Sequence, residues 1–274
     1  MKHSKWKAFN TFCIFTLLTA IFILGGLIVH ESKTINDSPT AAGNISYGES
    51  KSETMKSNYP VSDETVVLNS EDAYLDNSLF IGDSRTLALA LEGGIPDYNT
   101  FAENGINHVT YMSRSWTDDI TGAYGTIDRI VSIRKPKRVY IALGVNGISF
   151  MDTEYFITTF RQLIELLQAA SPSSTLIIEA ILPVSSAYEL NNPEINNSSI
   201  HEMNEIYKQL AVEYDACYLP IYECVTDDTG AMNEAYDRGD GLHYNSEGCA
   251  ALAAYIKSHP IADDTLQEET AIFQ

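Results

Sequence analysis

Residues 79–86 read Leu79-Phe80-Ile81-Gly82-Asp83-Ser84-Arg85-Thr86. Three apolar residues run into a Gly-Asp-Ser turn, and a helix-forming segment follows to Leu91. The pattern predicts a buried parallel strand, Ser78 to Ile81, that delivers a serine to the start of a helix, Arg85 to Leu91. Gly82 permits a tight turn, and the free N–H groups of the first helical turn then surround the Ser84 hydroxyl. The same groups would hold the oxyanion formed after attack by that hydroxyl. Asp-Ser at a helix start is also ordinary capping, so the octapeptide alone fits both accounts.

Strand and helix alternate downstream. Asn99 to Ala102, Arg138 to Leu143, Thr175 to Leu182 and Cys217 to Ile221 read as further strands. Gly122 to Arg134, Thr153 to Ala170, Ile200 to Tyr214 and Ser246 to Ser258 read as helices, with Pro183 to Ser199 and Tyr222 to Gly241 as loops. Phe156, Phe160, Leu163, Leu167 and Ala170 recur at helical spacing in the longest of them. The alternation predicts an α/β protein: a three-layer α/β/α, flavodoxin-like sandwich around a parallel sheet of about five strands. Ligands on such sheets bind outside the carboxyl ends of the strands. Ser84, Gly105, Asn146 and the loop after Pro183 all fall at that edge.

Of six histidines, His243 is the one placed for general-base work, because Asp240 precedes it by three residues in Asp240-Gly241-Leu242-His243. A carboxylate at that spacing, in a turn containing glycine, reaches the imidazole, sets its tautomer and stabilises its cation. A turn in which Asp240 merely caps Gly241 and Leu242 fits the same residues. Asn146 closes the apolar run Leu143-Gly144-Val145-Asn146, where its amide must find partners near the rim and is suited to donate to an oxyanion. Gly144 to Gly147 reads equally as a turn, and Asn104-Gly105 is a turn signal by itself.

These segments resemble the blocks of the SGNH (GDSL-type) hydrolase family, which supply a serine, a glycine, an asparagine and a histidine. The resemblance runs from about Ser78 to Lys257. It implies a serine esterase in which Ser84 attacks the carbonyl, His243 takes its proton and Asp240 orients His243. The N–H groups of Ser84 and Gly105 and the amide of Asn146 would form the oxyanion hole, with no cofactor and no metal. Gly147 stands where the family usually has an aspartate, and Arg85 where it usually has a leucine. Arg85 is expected to bind a substrate carboxylate or sugar hydroxyls, or to pair with an acidic neighbour such as Glu103. Tyr111, Trp116, Tyr124, Tyr188 and Tyr244 are spread through the loops expected to frame the cleft, as platforms for sugar rings or as packing residues.

The chain has 274 residues, and its N-terminus reads separately from the rest. Residues 1–10 carry Lys2, Lys5 and Lys7, and Thr11 to Val29 is an uncharged apolar run. Nineteen residues at about 1.5 Å each nearly span a hydrocarbon core of about 30 Å. The lysines predict a cytoplasmic N-terminus with everything after Val29 outside; with the resemblance, this implies a membrane-anchored bacterial member of the family with its catalytic domain outside. A cleaved signal peptide, hence a secreted protein, is the alternative; no small-x-small site directly follows Val29. Residues 30–63, rich in Ser, Thr, Asn and Gly, read as a flexible linker, 64–260 as the domain, and 261–274 as an acidic tail.

Charge excludes one class of partner. Setting aside Lys2, Lys5, Lys7, Lys33 and Glu31 leaves 13 basic and 36 acidic residues, a balance that repels nucleic acid. Cys217, Cys224 and Cys249 form no cluster with metal-ligand spacing. Cys217 and Cys224 fit either a bridge or buried thiols. The expected substrate is therefore an ester on the cell envelope, such as an O-acetylated carbohydrate; no long apolar lid separates the blocks, which weighs against a lipase. An inactive glycan- or partner-binding module and an envelope acyltransferase are the other readings of the same residues.

Overall fold

The computed structural model describes residues 70–261. A short helix, α1 (Ser70–Asp76), leads into β1 (Ser78–Gly82), α2 (Ser84–Leu91) and β2 (Thr100–Ala102). Helix α3 (His108–Ser113) and a two-stranded ribbon pairing Trp116-Thr117 with Tyr124-Gly125 precede α4 (Ile127–Arg134). Then come β3 (Arg138–Ala142), the single turn α5 (Val145–Ile148), α6 (Thr153–Ala170) and β4 (Thr175–Glu179). The last described elements are α7 (Ser186–Asn191), α8 (Asn197–Glu213), β5 (Cys217–Leu219) and α9 (Ser246–Ser258).

The five strands pair in parallel in the order β2-β1-β3-β4-β5. This is the flavodoxin-like order, and its reversal falls between β1 and β3. Both faces of the sheet are buried, which explains why its strands read as continuous apolar runs. Leu79, Ile81, Val139, Ile141, Leu176 and Ile178 pack on one side with residues of α4, α6 and α8. Phe80, Tyr140 and Ile177 pack on the other with residues of α1, α2 and α9. Three layers follow from that period of two.

Several boundaries differ from those read in the sequence. The fourth strand stops at Glu179 because Asn204 takes over its edge: Ile181 N–H donates to Oδ1 at 2.7 Å, and Nδ2 donates to Ile181 O at 3.0 Å. The segment from Gly122 begins in the ribbon, and its helix starts only at Ile127. The expected loop Pro183–Ser199 contains α7, and Tyr222–Gly241 contains 3-10 turns at Ile221–Cys224 and Glu234–Tyr236. Cys224 and Cys249 are free thiols, and no bridge joins Cys217 to Cys224. The expected anchor, Thr11 to Val29, lies outside the described residues, and no helix among the described residues is long and apolar enough to cross a membrane.

Candidate active site

The turn carrying Ser84 is as tight as a chain can make it. A Cβ on Gly82 would lie 2.0 Å from Oγ1 of Thr86, so the strand passes beneath its own helix only because residue 82 is glycine. Asp83 caps α2 by accepting from the N–H of Arg85 at 2.9 Å. Ser84 thereby sits at the first helical position, half-buried, at the carboxyl edge of β1.

The partner loop is held as firmly. The N–H of Arg238 donates to His243 O, and one oxygen of Asp237 accepts from Gly239 and Gly241 N–H. Within this frame Oδ1 of Asp240 accepts from the N–H groups of Leu242 and His243 at 2.9 and 2.8 Å, and Oδ2 lies 2.8 Å from Nδ1 of His243. Partial burial pushes the Asp240 carboxyl up, but the His243 backbone N–H, the imidazole and the Leu242 N–H together hold it down at about 2. An ionised carboxylate accepts only, so Nδ1 carries the proton and Nε2 is left as an acceptor. Nε2 lies 2.9 Å from Ser84 Oγ. The structure thus joins Ser84, His243 and Asp240 in one hydrogen-bonded chain; the three-residue spacing pointed to the Asp240–His243 contact, and the resemblance to Ser84.

Asn146 and Gly105 reach the same pocket, which has a volume of about 490 Å³. Its lining combines apolar Leu87, Ala88, Leu91 and Leu242 with Asn104, Gly105, Asn146, Arg238 and the catalytic candidates. Asn146 does not end a strand: β3 stops at Ala142, and Asn146 lies in the turn of α5. The cause is Gly144, at φ +154°, where a Cβ would strike Ile181 and Tyr207. The amide of Asn146 donates to Ile106 O at 3.0 Å and faces Asp83 Oδ2 at 3.4 Å. Gly147, in the place of the family's aspartate, leaves room for the ring of Phe156, 2.8 Å from where its Cβ would be. The loop is braced by packing instead of a second carboxylate.

Arg85 is not a substrate-binding residue. It is 7% exposed, its Nε donates to Leu242 O at 3.1 Å and its Nη1 to Leu182 O at 2.6 Å. It straps the histidine loop and the end of β4 to the start of α2. Glu103 pairs with Arg114, not with Arg85. The aromatic candidates do not line the pocket either. Tyr111 is buried and donates to Phe101 O, Tyr244 is buried and donates to Pro183 O, and Trp116 packs edge-on against Phe101. Packing accounts for all three; the polar tips of Tyr111 and Tyr244 are satisfied, whereas Nε1 of Trp116 is buried without a partner.

Three residues escaped the sequence reading. Asn104 lines the pocket beside Gly105. Asp83 and Glu179 are buried beneath it, at 3% and 7% exposure. Glu179 had a signal: it is the single acid in the run Thr175 to Leu182. Such a residue is seldom buried without a task.

A parallel α/β sandwich with a serine, histidine and aspartate joined at its carboxyl edge defines a serine-type hydrolase. The GDSL-like lipase/acylhydrolase family pattern matches residues 80–251, and the chain belongs to that family of ester hydrolases. No curated protein matches the chain. Among solved structures, a protein assigned as a platelet activating factor from Streptococcus pneumonia shares 21% identity at a TM-score of 0.55, over 70% of this chain and 91% of that one. A GDSL-like lipase from Bacteroides thetaiotaomicron shares 20% at 0.51, over 66% of this chain and 85% of that one. At that identity the likeness establishes the fold.

Proposed function

We propose that this chain hydrolyses short-chain esters, such as O-acetyl groups on envelope carbohydrate, through an acyl-serine intermediate. The observation that carries the reading is the unbroken chain from Asp240 Oδ2 to Ser84 Oγ, with links of 2.8 and 2.9 Å. Both lie within the range needed for proton transfer. His243 takes the Ser84 proton as Oγ attacks the ester carbonyl, then returns it to the leaving alcohol. Water repeats the sequence on the acyl-enzyme and releases the acid. The oxyanion is held by the N–H groups of Ser84 and Gly105 and by Asn146, whose amide exchanges its contact with Ile106 O for the developing charge.

The polar wall of Asn104, Asn146 and Arg238 suits a hydroxylated alcohol portion, recognised by hydrogen bonds instead of aromatic stacking. Placement outside the cell rests on Lys2, Lys5 and Lys7 before the apolar run Thr11 to Val29. Fluorophosphonate labelling and turnover of p-nitrophenyl acetate and acetylated xylan test the reading. Labelling that depends on Ser84 supports it; an unlabelled, folded protein is a binding module. Recovery of mature protein starting between His30 and Gly43 would replace the anchor with a cleaved signal.

A further inference from the structure

Residues of the nucleophile turn also line a second cavity, of about 30 Å³, which shares no lining residue with the substrate pocket. Asp83, Arg85 and Glu179 are its charged lining, among apolar neighbours that include Leu89, Val145 and Leu252. Nη2 of Arg85 is fully buried and has no hydrogen-bond partner. Leaving such a group unpaired in an apolar setting costs several times what a hydrogen bond contributes. The volume suits one or two waters, and three polar side chains around it supply the partners a buried water needs.

We propose that Glu179 is a positioning residue for the Ser84 site: with Asp83 and Arg85 it holds water and one proton in this cavity, and the cluster keeps the Asp83-Ser84-Arg85 turn in its reactive geometry. The inference rests on the catalytic role of Ser84. Its basis is charge balance. One guanidinium and two carboxyls are buried together, and a neutral cluster requires one carboxyl to keep its proton.

The proton belongs on Glu179. Burial raises both carboxyls, but for Asp83 the Arg85 guanidinium, the Arg85 backbone N–H and the His243 ring act in the opposite direction. For Glu179 burial and the Asp83 charge act together and raise it to about 8. The remaining titratable groups facing this pair stay uncharged over the same range. Tyr140 on β3 is bonded to Tyr74 and pushed far up, Cys224 after β5 is raised to about 11, and Tyr207 on α8 is raised by burial. Above pH about 8, Glu179 therefore ionises opposite Asp83. The Glu179 charge then opposes that of Asp83, on which the Arg85 guanidinium acts, and the cap that seats Ser84 loosens.

The test compares wild type, Glu179→Gln and Glu179→Ala with p-nitrophenyl acetate from about pH 6 to about pH 10. The wild-type kcat is expected to fall above pH about 8 with the slope of one ionisation, roughly tenfold per unit, while KM stays constant. Glu179→Gln, a neutral isostere, should keep kcat near neutrality within about threefold and lose the alkaline limb. Glu179→Ala should lower kcat about tenfold at unchanged KM. An alkaline limb that survives in Glu179→Gln, or an Ala variant with wild-type kcat, overturns the proposal. Carbon-13 NMR of the glutamate carboxyls in Ser84→Ala protein reads the proton without turnover. A carboxyl titrating near pH 8 that disappears on adding Glu179→Gln supports the buried proton, and its absence overturns the proposal. Failure of the esterase reading itself looks different: that carboxyl is present, yet wild type turns over no ester.

Discussion

Ser84 Oγ and His243 Nε2 lie 2.9 Å apart although the two residues are 159 positions apart in the chain. The fold brings them together because β1 ends at the turn opening α2, and α9, which follows the histidine loop, packs in the same layer as α2. Since the two side chains act as one unit, Ser84→Ala and His243→Ala should each remove nearly all turnover, and the double variant should be little worse than either. Steady-state kinetics with p-nitrophenyl acetate gives the comparison. Additive losses would mean that the pair does not function together. Asp240→Ala should be milder, because it removes the orienting contact and leaves the base.

The Asn146 amide is held 3.0 Å from Ile106 O, at the pocket wall facing Ser84. Replacing it by alanine should lower kcat by roughly 10²–10³-fold with the fold intact, the cost of one oxyanion donor. Normal turnover in that variant would leave the hole to the Ser84 and Gly105 N–H groups alone.

Arg85 makes the opposite prediction. Two carbonyls, Leu182 O and Leu242 O, and the carboxylate of Asp83 depend on it. Arg85→Ala should therefore destabilise the protein by about 3–5 kcal/mol, the cost of breaking a buried charge arrangement from one side. Chemical denaturation measures this. A large rise in KM without loss of stability would restore the substrate-binding role the sequence suggested.

The contrast between these residues shows which features were legible beforehand. The central strands were readable because Leu79, Phe80 and Ile81 are buried on both faces, so the apolar run is continuous. Asp240 and His243 were readable because their contact is local, three residues apart on one turn. Arg85 was misread because its partners, Leu182 and Leu242, lie 97 and 157 positions away, and an arginine's neighbours in sequence say nothing about such carbonyls. Helix α3 escaped because six residues carry too little period to register; its Asn107 capping box was the only local mark.

The last prediction concerns stability against pH, where two buried groups oppose each other. Glu179 is raised to about 8 by burial and by Asp83, so between its unfolded value of about 4.5 and about 8 the folded state binds one more proton than the unfolded chain. Stability from this group is full below pH about 4.5 and falls as pH rises through about 8. His108, buried with Nε2 2.7 Å from Thr159 Oγ1, is lowered to about 4 by burial, so it stays neutral in the fold while the unfolded imidazole charges below pH about 6.5. Its contribution is full above about 6.5 and is lost as pH falls toward about 4. Between about 4.5 and 6.5 the two slopes cancel. Above about 6.5 only Glu179 remains, and stability should fall by about 1.4 kcal/mol per pH unit until about pH 8. For a domain of this size that lowers Tm by about 3–5 °C per unit. Calorimetry of the wild type should show a plateau between pH about 4.5 and about 6.5 and this decline above it. Glu179→Gln should abolish the decline and expose the His108 slope on the acid side, and a decline that persists in that variant would assign it to another group.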